Sequence, residues 1–204
     1  MTPPSIDIEE VARHDAFRHL SAIAGIAVEL RYATADNFVG CVLYPDLDCA
    51  WLHRDAAEAL ARAVSWLAGR RPDVTLLVLD ALRPQRVQEQ LWAALQDTHL
   101  LEYIAEPVRG SIHSFGMAVD VTLRGADGRE LDMGTGFDDM SERSQPALEA
   151  RMLARGALTA QHIANRQLLR DAMGQAGWVG IASEWWHFDC GDRQLVRRTY
   201  TRVL

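Results

Sequence analysis

Met117-Ala-Val-Asp-Val-Thr-Leu-Arg-Gly-Ala-Asp-Gly-Arg-Glu-Leu-Asp-Met133 is the stretch on which the fold class turns. Residues 117–123 are apolar and β-branched, as a strand is, and Asp127-Gly128 is a strong tight-turn signal. A return strand is therefore expected near Glu130 to Met133. A hairpin at this point favours an α+β arrangement over a doubly wound parallel sheet.

Working outward, Val74 to Leu79 is a continuous apolar run and predicts a buried strand, while residues 26–31 alternate apolar and polar as a half-buried strand does. Residues 54–68 predict a helix: Asp55 and Glu58 lie near its start, Leu60, Val64 and Leu67 share a face, and Gly69 follows. A second helix is expected from Pro84, with Val87, Leu91, Trp92 and Leu95 at helical spacing. Residues 98–112 read as irregular, broken by Pro107 and Gly110. A long helix is expected over 159–176, with Ile163, Leu168, Leu169, Ala172 and Met173 on its apolar side and Gly177 at its end. Residues 178–190 suggest one or two strands. With no repeat or linker, residues 1–204 are expected to form a single domain, a mostly antiparallel sheet flanked by helices.

Composition narrows the function. The net charge of −7 argues against nucleic acid or an anionic membrane surface as the main partner. All 21 basic residues are arginine. Without lysine there is no Schiff-base or Ser–Lys catalysis, and no P-loop. No stretch has the roughly 18–20 apolar residues of a transmembrane helix, and the acidic N-terminus with Asp7, Glu9, Glu10 and Asp15 lacks the pattern of a signal peptide. A cytoplasmic location is expected. Cys41, Cys49 and Cys190 are odd in number and widely spaced, so buried free thiols are expected in place of a cysteine metal site.

The chemistry concentrates in two segments, Ser111-Ile-His113-Ser-Phe-Gly116-Met-Ala118-Val-Asp120 and Ser183-Glu184-Trp-Trp-His187. Taken singly these are weak signals, since a histidine in an apolar segment is more often a core residue than a ligand. Asp120 is harder to dismiss. An ionised carboxylate among Val119, Val121 and Leu123 is costly to bury without a metal or a partner. Together the segments offer two imidazoles, a carboxylate ligand and one further carboxylate, the inventory of a catalytic zinc site. Gly116 permits a turn between His113 and the strand of Asp120. Glu184 and His187, three apart, would face opposite sides of a regular strand, so a bulge or strand end is expected there. Cys190, three beyond His187, is a weaker rival ligand.

The pattern Ser-x-His-x-x-Gly-x-Ala-x-Asp with a downstream Glu-x-Trp-His resembles the zinc D-alanyl-D-alanine peptidases, and most closely the VanX-type dipeptidases. Arg31-Tyr-Ala-Thr-Ala-Asp-Asn-Phe38, Asp80-Ala-Leu-Arg83-Pro84, Met133-Gly-Thr-Gly-Phe-Asp138 and Ser141-Glu-Arg-Ser144 agree with that match, which runs in order from about residue 28 to 190. The resemblance implies the hedgehog/D-Ala-D-Ala peptidase-like fold. It implies one zinc ion held by His113, Asp120 and His187, with Glu184 as general base and Arg83 facing the reacting carbonyl. It further implies Asp138, with Tyr32 nearby, for the ammonium of a small dipeptide, and Ser111 for its carboxylate. Asp80 would orient Arg83 or help with the amine, or else cap the helix after Pro84.

The rival reading is a carboxypeptidase of the same fold acting on peptidoglycan stem peptides; an acidic group closing the amino-terminal side of the site discriminates against it. A zinc-binding domain without chemistry would have no need of Glu184. A serine hydrolase lacks its signature, since no G-x-S-x-G occurs anywhere. Oligomeric state is not legible in the residues.

Overall fold

The computed structural model describes residues 3–98, 101 and 105–204. Its central sheet has the order β3 (Ile26–Val28), β5 (Val74–Asp80), β6 (Ala118–Gly125), β8 (His187–Cys190) and β7 (Trp178–Gly180). The β3–β5 pair is parallel and the other three pairs are antiparallel. Two small pairings lie outside it: β1 (Ser5–Ile6) with β9 (Arg202–Val203), and β2 (Phe17–His19) with β4 (Trp51–His53). The helices are α1 (Arg54–Arg70), α2 (Gln85–Leu95), α3 (Glu149–Ala154), α4 (Ala160–Gln175) and α5 (Arg193–Thr199). This is the α+β architecture expected, with a mostly antiparallel sheet flanked by helices.

The two faces of the sheet have different tasks. Alternate residues of a strand point to opposite faces. Leu76, Val78, Val119, Val121, Leu123 and Phe188 enter one core with Leu60, Val64 and Leu67 of α1 and Leu169 and Met173 of α4. On the strands' other register Asp120 faces His187 across the β6–β8 pairing, and Asp80 faces Asp120 across β5–β6 after a register shift at Val78/Asp80. A row of three polar side chains thus crosses the middle of the sheet on one face, opposite a packed apolar face.

Several expectations needed correction. The strand read over 26–31 stops at Val28, and Arg31–Ala33 coil into a 3-10 turn that drives Tyr32 to 2% exposure while Arg31 pairs with Asp36 and Glu130. The return strand near Glu130 to Met133 is reduced to one bridge, Arg124 with Glu130. Asp132 accepts a hydrogen bond from the Gly134 amide at 2.8 Å, Gly134 is left-handed at φ 82°, and the chain leaves the sheet there. Helix α1 runs through Gly69 to Arg70. Cys49 is buried, but Cys41 is exposed and Cys190 half-buried. Within the irregular 98–112 segment, residues 99, 100 and 102–104 lie outside the described residues. The long helix appears as α4, with Thr159 as its cap and Gly177 beyond its end at φ 90°.

Candidate metal centre and peptide pocket

His113 lies in a four-residue 3-10 turn, Ile112–Phe115, that Ser111 caps by accepting from the His113 amide. Gly116 ends the turn at φ 63°, and a Cβ there would stand 2.6 Å from the His53 amide nitrogen. Only glycine combines that backbone with that approach. The turn sends His113 back over the sheet, towards Asp120 two residues into β6.

The three side chains converge. His187 Nδ1 lies 3.0 Å from Asp120 Oδ1 and 3.2 Å from His113 Nε2, and His113 Nε2 is 3.5 Å from Asp120 Oδ1. The far nitrogen of each ring is already engaged. His113 Nδ1 donates to the Ala81 carbonyl at 2.7 Å, and His187 Nε2 donates to Asp189 Oδ1 at 3.0 Å. Each imidazole therefore turns a lone pair inward when neutral, and outward partners of this kind fix ligating histidines in other metal sites. Three electron-pair donors in contact need a positive charge between them. In the metal-free chain that charge is a proton on His187. Burial opposes it, but the hydrogen bonds and charges of Asp120 and Asp189 push the imidazole up to about 10. Burial likewise raises Asp120, yet the two imidazoles hold it well below the usual carboxylate range. The donor set fits a metal ion, which His113 Nε2, Asp120 Oδ1 and His187 Nδ1 would hold. Cys190 is not among these converging groups.

Around the cluster lies a cavity of about 360 Å³, whose walls include Tyr32, Arg83, Ser111, Asp138 and Glu184. Arg83, beyond the end of β5, is buried. Its Nη2 and Nε reach Asp80 Oδ2 at 2.7 and 3.1 Å, its guanidinium stacks 4.9 Å over the Tyr32 ring, and Nη2 stands 3.5 Å from Asp120 Oδ2. Asp80 is fully buried and also accepts from the Tyr44 hydroxyl at 2.6 Å. It orients Arg83 and does not cap the next helix, where Pro84 occupies the cap position with no side-chain bond. Arg86, chemically equal to Arg83 in the sequence, pairs with Glu9 at the surface.

Glu184 sits in the bend between β7 and β8, and His187 begins β8. The expected strand end resolves their spacing: Glu184 need not obey the strand alternation. Burial pushes its carboxyl above the ordinary range, with Asp120 adding to the rise and His187 opposing it. Asp138 is buried on a left-handed backbone at φ 59°, a conformation that aspartate tolerates better than most residues. Tyr32 donates to its Oδ1 at 3.4 Å, while Oδ2 is buried without a hydrogen-bond partner among the described residues. Burial, then the charge of Asp120, raises the Asp138 carboxyl well above its ordinary value.

All nine expected residues therefore meet in one region, with Asp80 behind Arg83. Sequence reasoning missed Asp189, Tyr44 and the Ala81 carbonyl. Asp189 had a signal, because a residue two beyond His187 on a strand shares its face. Tyr44 and Ala81 had none.

Residues 15–204 match the family model for Peptidase_M15, D-ala-D-ala dipeptidase. The chain belongs to this family. A D-alanyl-D-alanine dipeptidase of Escherichia coli (strain K12) is 43% identical over 164 residues, covering 80% of this chain and 78% of that protein. One from Enterococcus faecium is 31% identical over 190 residues, covering 81% and 86%. A solved structure of the LdcB LD-carboxypeptidase aligns over 90% of this chain and 71% of its own, with TM-score 0.47 and 14% identity. As a member of the dipeptidase family, the chain is a peptidase of the metal-dependent kind, and the His113, Asp120 and His187 cluster could hold its metal. Among the described residues no helix is long and apolar enough to cross a membrane.

Proposed function

We propose that the chain hydrolyses the free dipeptide D-Ala-D-Ala to two D-alanines, using one zinc ion held by His113, Asp120 and His187. The observation that carries this reading is the convergence of three inward-facing donors, each ring braced from behind, on a cavity that also presents Glu184, Arg83 and an unpartnered Asp138 oxygen. Two imidazoles and a carboxylate suit a catalytic zinc, which, when bound, supplies Lewis acidity towards a water and the scissile carbonyl.

The protein groups divide the remaining work. Glu184 takes the proton of the attacking water and passes it to the leaving amine, so that hydroxyl adds to the carbonyl carbon and hydrogen to nitrogen. A carboxyl raised by burial is better matched to that task near neutral pH. Arg83 donates to the carbonyl oxygen as negative charge develops there. Because Asp80, Tyr32 and Gln88 already hold the guanidinium, little reorganisation accompanies the reaction.

Asp138 receives the substrate's ammonium. Burial raises its carboxyl well above the ordinary value, and an arriving ammonium supplies a partner for Oδ2 and stabilises the anion. The Ser111 hydroxyl accepts from the His113 amide and keeps its own hydrogen free to donate to the terminal carboxylate. A pocket that reads both ends disfavours longer chains, because an acylated amine would leave Asp138 buried and unpaired. The names borne by the related proteins support a dipeptidase over a carboxypeptidase.

The test compares D-Ala-D-Ala, N-acetyl-D-Ala-D-Ala and L-Ala-L-Ala as substrates of zinc-loaded protein. Selective cleavage of the free D,D-dipeptide is expected. Equal or faster cleavage of the acetylated compound would overturn the reading in favour of a carboxypeptidase.

A further inference from the structure

The same cavity has a cationic wall that takes no part in the bond-breaking described above. Arg109, Arg193 and Arg197 line it beside Ser111 and Asp189. Arg109 directly precedes Gly110-Ser111, while Arg193 and Arg197 stand one turn apart on α5, which follows the strand of His187. Arg197 Nε donates to the Gly110 carbonyl at 3.0 Å and so ties α5 to the segment bearing Ser111. Arg193 pairs with Asp189, the carboxylate behind His187. Among the described residues neither Arg109 nor Arg197 has an acidic partner.

This gathering of positive charge runs against the composition, in which 28 acidic residues outnumber 21 arginines. Burial first, then the nearness of Arg109 and Arg193, disfavours the charged form of Arg197, and the charge of Asp189 offsets this only in part. Such crowding is relieved when an anion arrives. Asp189 answers one guanidinium and already serves His187. The α-carboxylate of a dipeptide answers a second. A third remains.

We propose that this rim is a second anion site of the substrate pocket, and that the enzyme takes dipeptides whose C-terminal residue carries an acidic side chain as well as neutral ones. The inference rests on the dipeptidase reading. A side-chain carboxylate and the α-carboxylate spring from one Cα, so both anions reach the wall close together, which suits a cluster of arginines better than a single one. The planar guanidinium fork also matches carboxylate geometry.

Zinc-loaded protein is assayed with D-Ala-D-Ala, D-Ala-D-Glu and D-Ala-D-Gln, the last two alike in shape and different in charge. The expected kcat/KM for D-Ala-D-Glu exceeds that for D-Ala-D-Gln by about tenfold or more at low salt, the scale of one charge-assisted contact. The ratio shrinks as salt is added, and it falls towards unity in the double variant Arg109→Gln, Arg197→Gln. Since the ratio is taken within each protein, a loss of folded enzyme does not imitate it. Equal rates on the two substrates, or a ratio untouched by the double substitution, overturn the proposal while turnover of D-Ala-D-Ala leaves the dipeptidase reading standing. Absence of turnover on D-Ala-D-Ala as well removes both.

Discussion

Asp120 and His187 stand directly opposite each other across the β6–β8 pairing, with Oδ1 and Nδ1 3.0 Å apart. Cross-strand partners share a face and lie closer than any other pair two strands can offer. The sheet register alone therefore brings together two candidate ligands separated by 67 positions in the chain. His113 comes from a turn, and the rigidity of that turn decides whether the third candidate donor arrives.

The register predicts how the metal-free site handles protons. His187 has its imidazole pushed up to about 10 against an ordinary 6.5, so it carries a proton at neutral pH without metal. A raised value in the folded chain stabilises the metal-free fold fully below about 6.5, and this contribution is lost as pH rises through about 10. A metal ion bound at the inward nitrogen of His187 would have to displace that proton. Binding at pH 8 should release about one proton, and the apparent affinity should fall about tenfold for each unit the pH is lowered. Calorimetry in buffers of different ionisation enthalpy reads the number directly. Zero release would mean that His187 is neutral before the metal arrives.

Asp189 braces His187 from behind, and its replacement separates metal binding from chemistry. Asp189→Ala should weaken zinc binding by about 10- to 100-fold, as loss of an outer hydrogen-bond partner does in other metal sites. With zinc at saturation, much of the turnover should return. A competition titration against a chelator checks the affinity, and unchanged affinity would remove Asp189 from the site.

Glu184→Gln keeps the shape of the side chain and removes its basicity. The expected loss in kcat is about 10²- to 10⁴-fold, with one zinc per chain retained. Metal analysis beside the kinetics decides the role: a variant that loses its zinc would make Glu184 a ligand instead of a base.

How much of this was legible in the residues depended on whether local chemistry or register set each position. His113 and Asp120 were legible because Gly116 marks a turn and an acid within an apolar strand demands a partner. Glu184 and His187 were legible as a strand end from their three-residue spacing. The row formed with Asp80 was not, since it depends on a register shift in β5 that no local pattern announces. The hairpin expected after Asp127-Gly128 was overread: the turn forms, but the Asp132 side chain captures the Gly134 amide and His162, drawing the chain away from the sheet. That departure leads towards Phe137 and Asp138, and only long-range packing could reveal it.

Asp138→Asn tests the amine end. The amide cannot take a negative charge opposite the substrate's ammonium, so KM for D-Ala-D-Ala should rise about 10- to 100-fold, the worth of a charged hydrogen bond, with a smaller change in kcat. Discrimination against N-acetyl-D-Ala-D-Ala should shrink in step, because an uncharged amine end no longer strands a buried acid. A variant whose preference for the free dipeptide is intact would show that the ammonium is read elsewhere.

Gly116→Ala tests the turn that delivers His113. At φ 63° an alanine is strained, and its Cβ would meet the His53 amide nitrogen at 2.6 Å and the Leu52 carbonyl carbon at 3.2 Å. Both atoms are backbone, and the His53 amide donates to the Gly116 carbonyl at 2.9 Å, so neither can yield without breaking the β4 contact. Strain and overpacking together should cost about 2–4 kcal/mol, which lowers Tm by about 5–15 °C in a chain of this size. The distortion falls between His113 and Asp120, and zinc affinity should drop with stability. Thermal unfolding with and without zinc separates the two effects: a variant as stable as the parent in the metal-free form, and as strongly stabilised by zinc, would show that the turn adapts and that glycine is dispensable there.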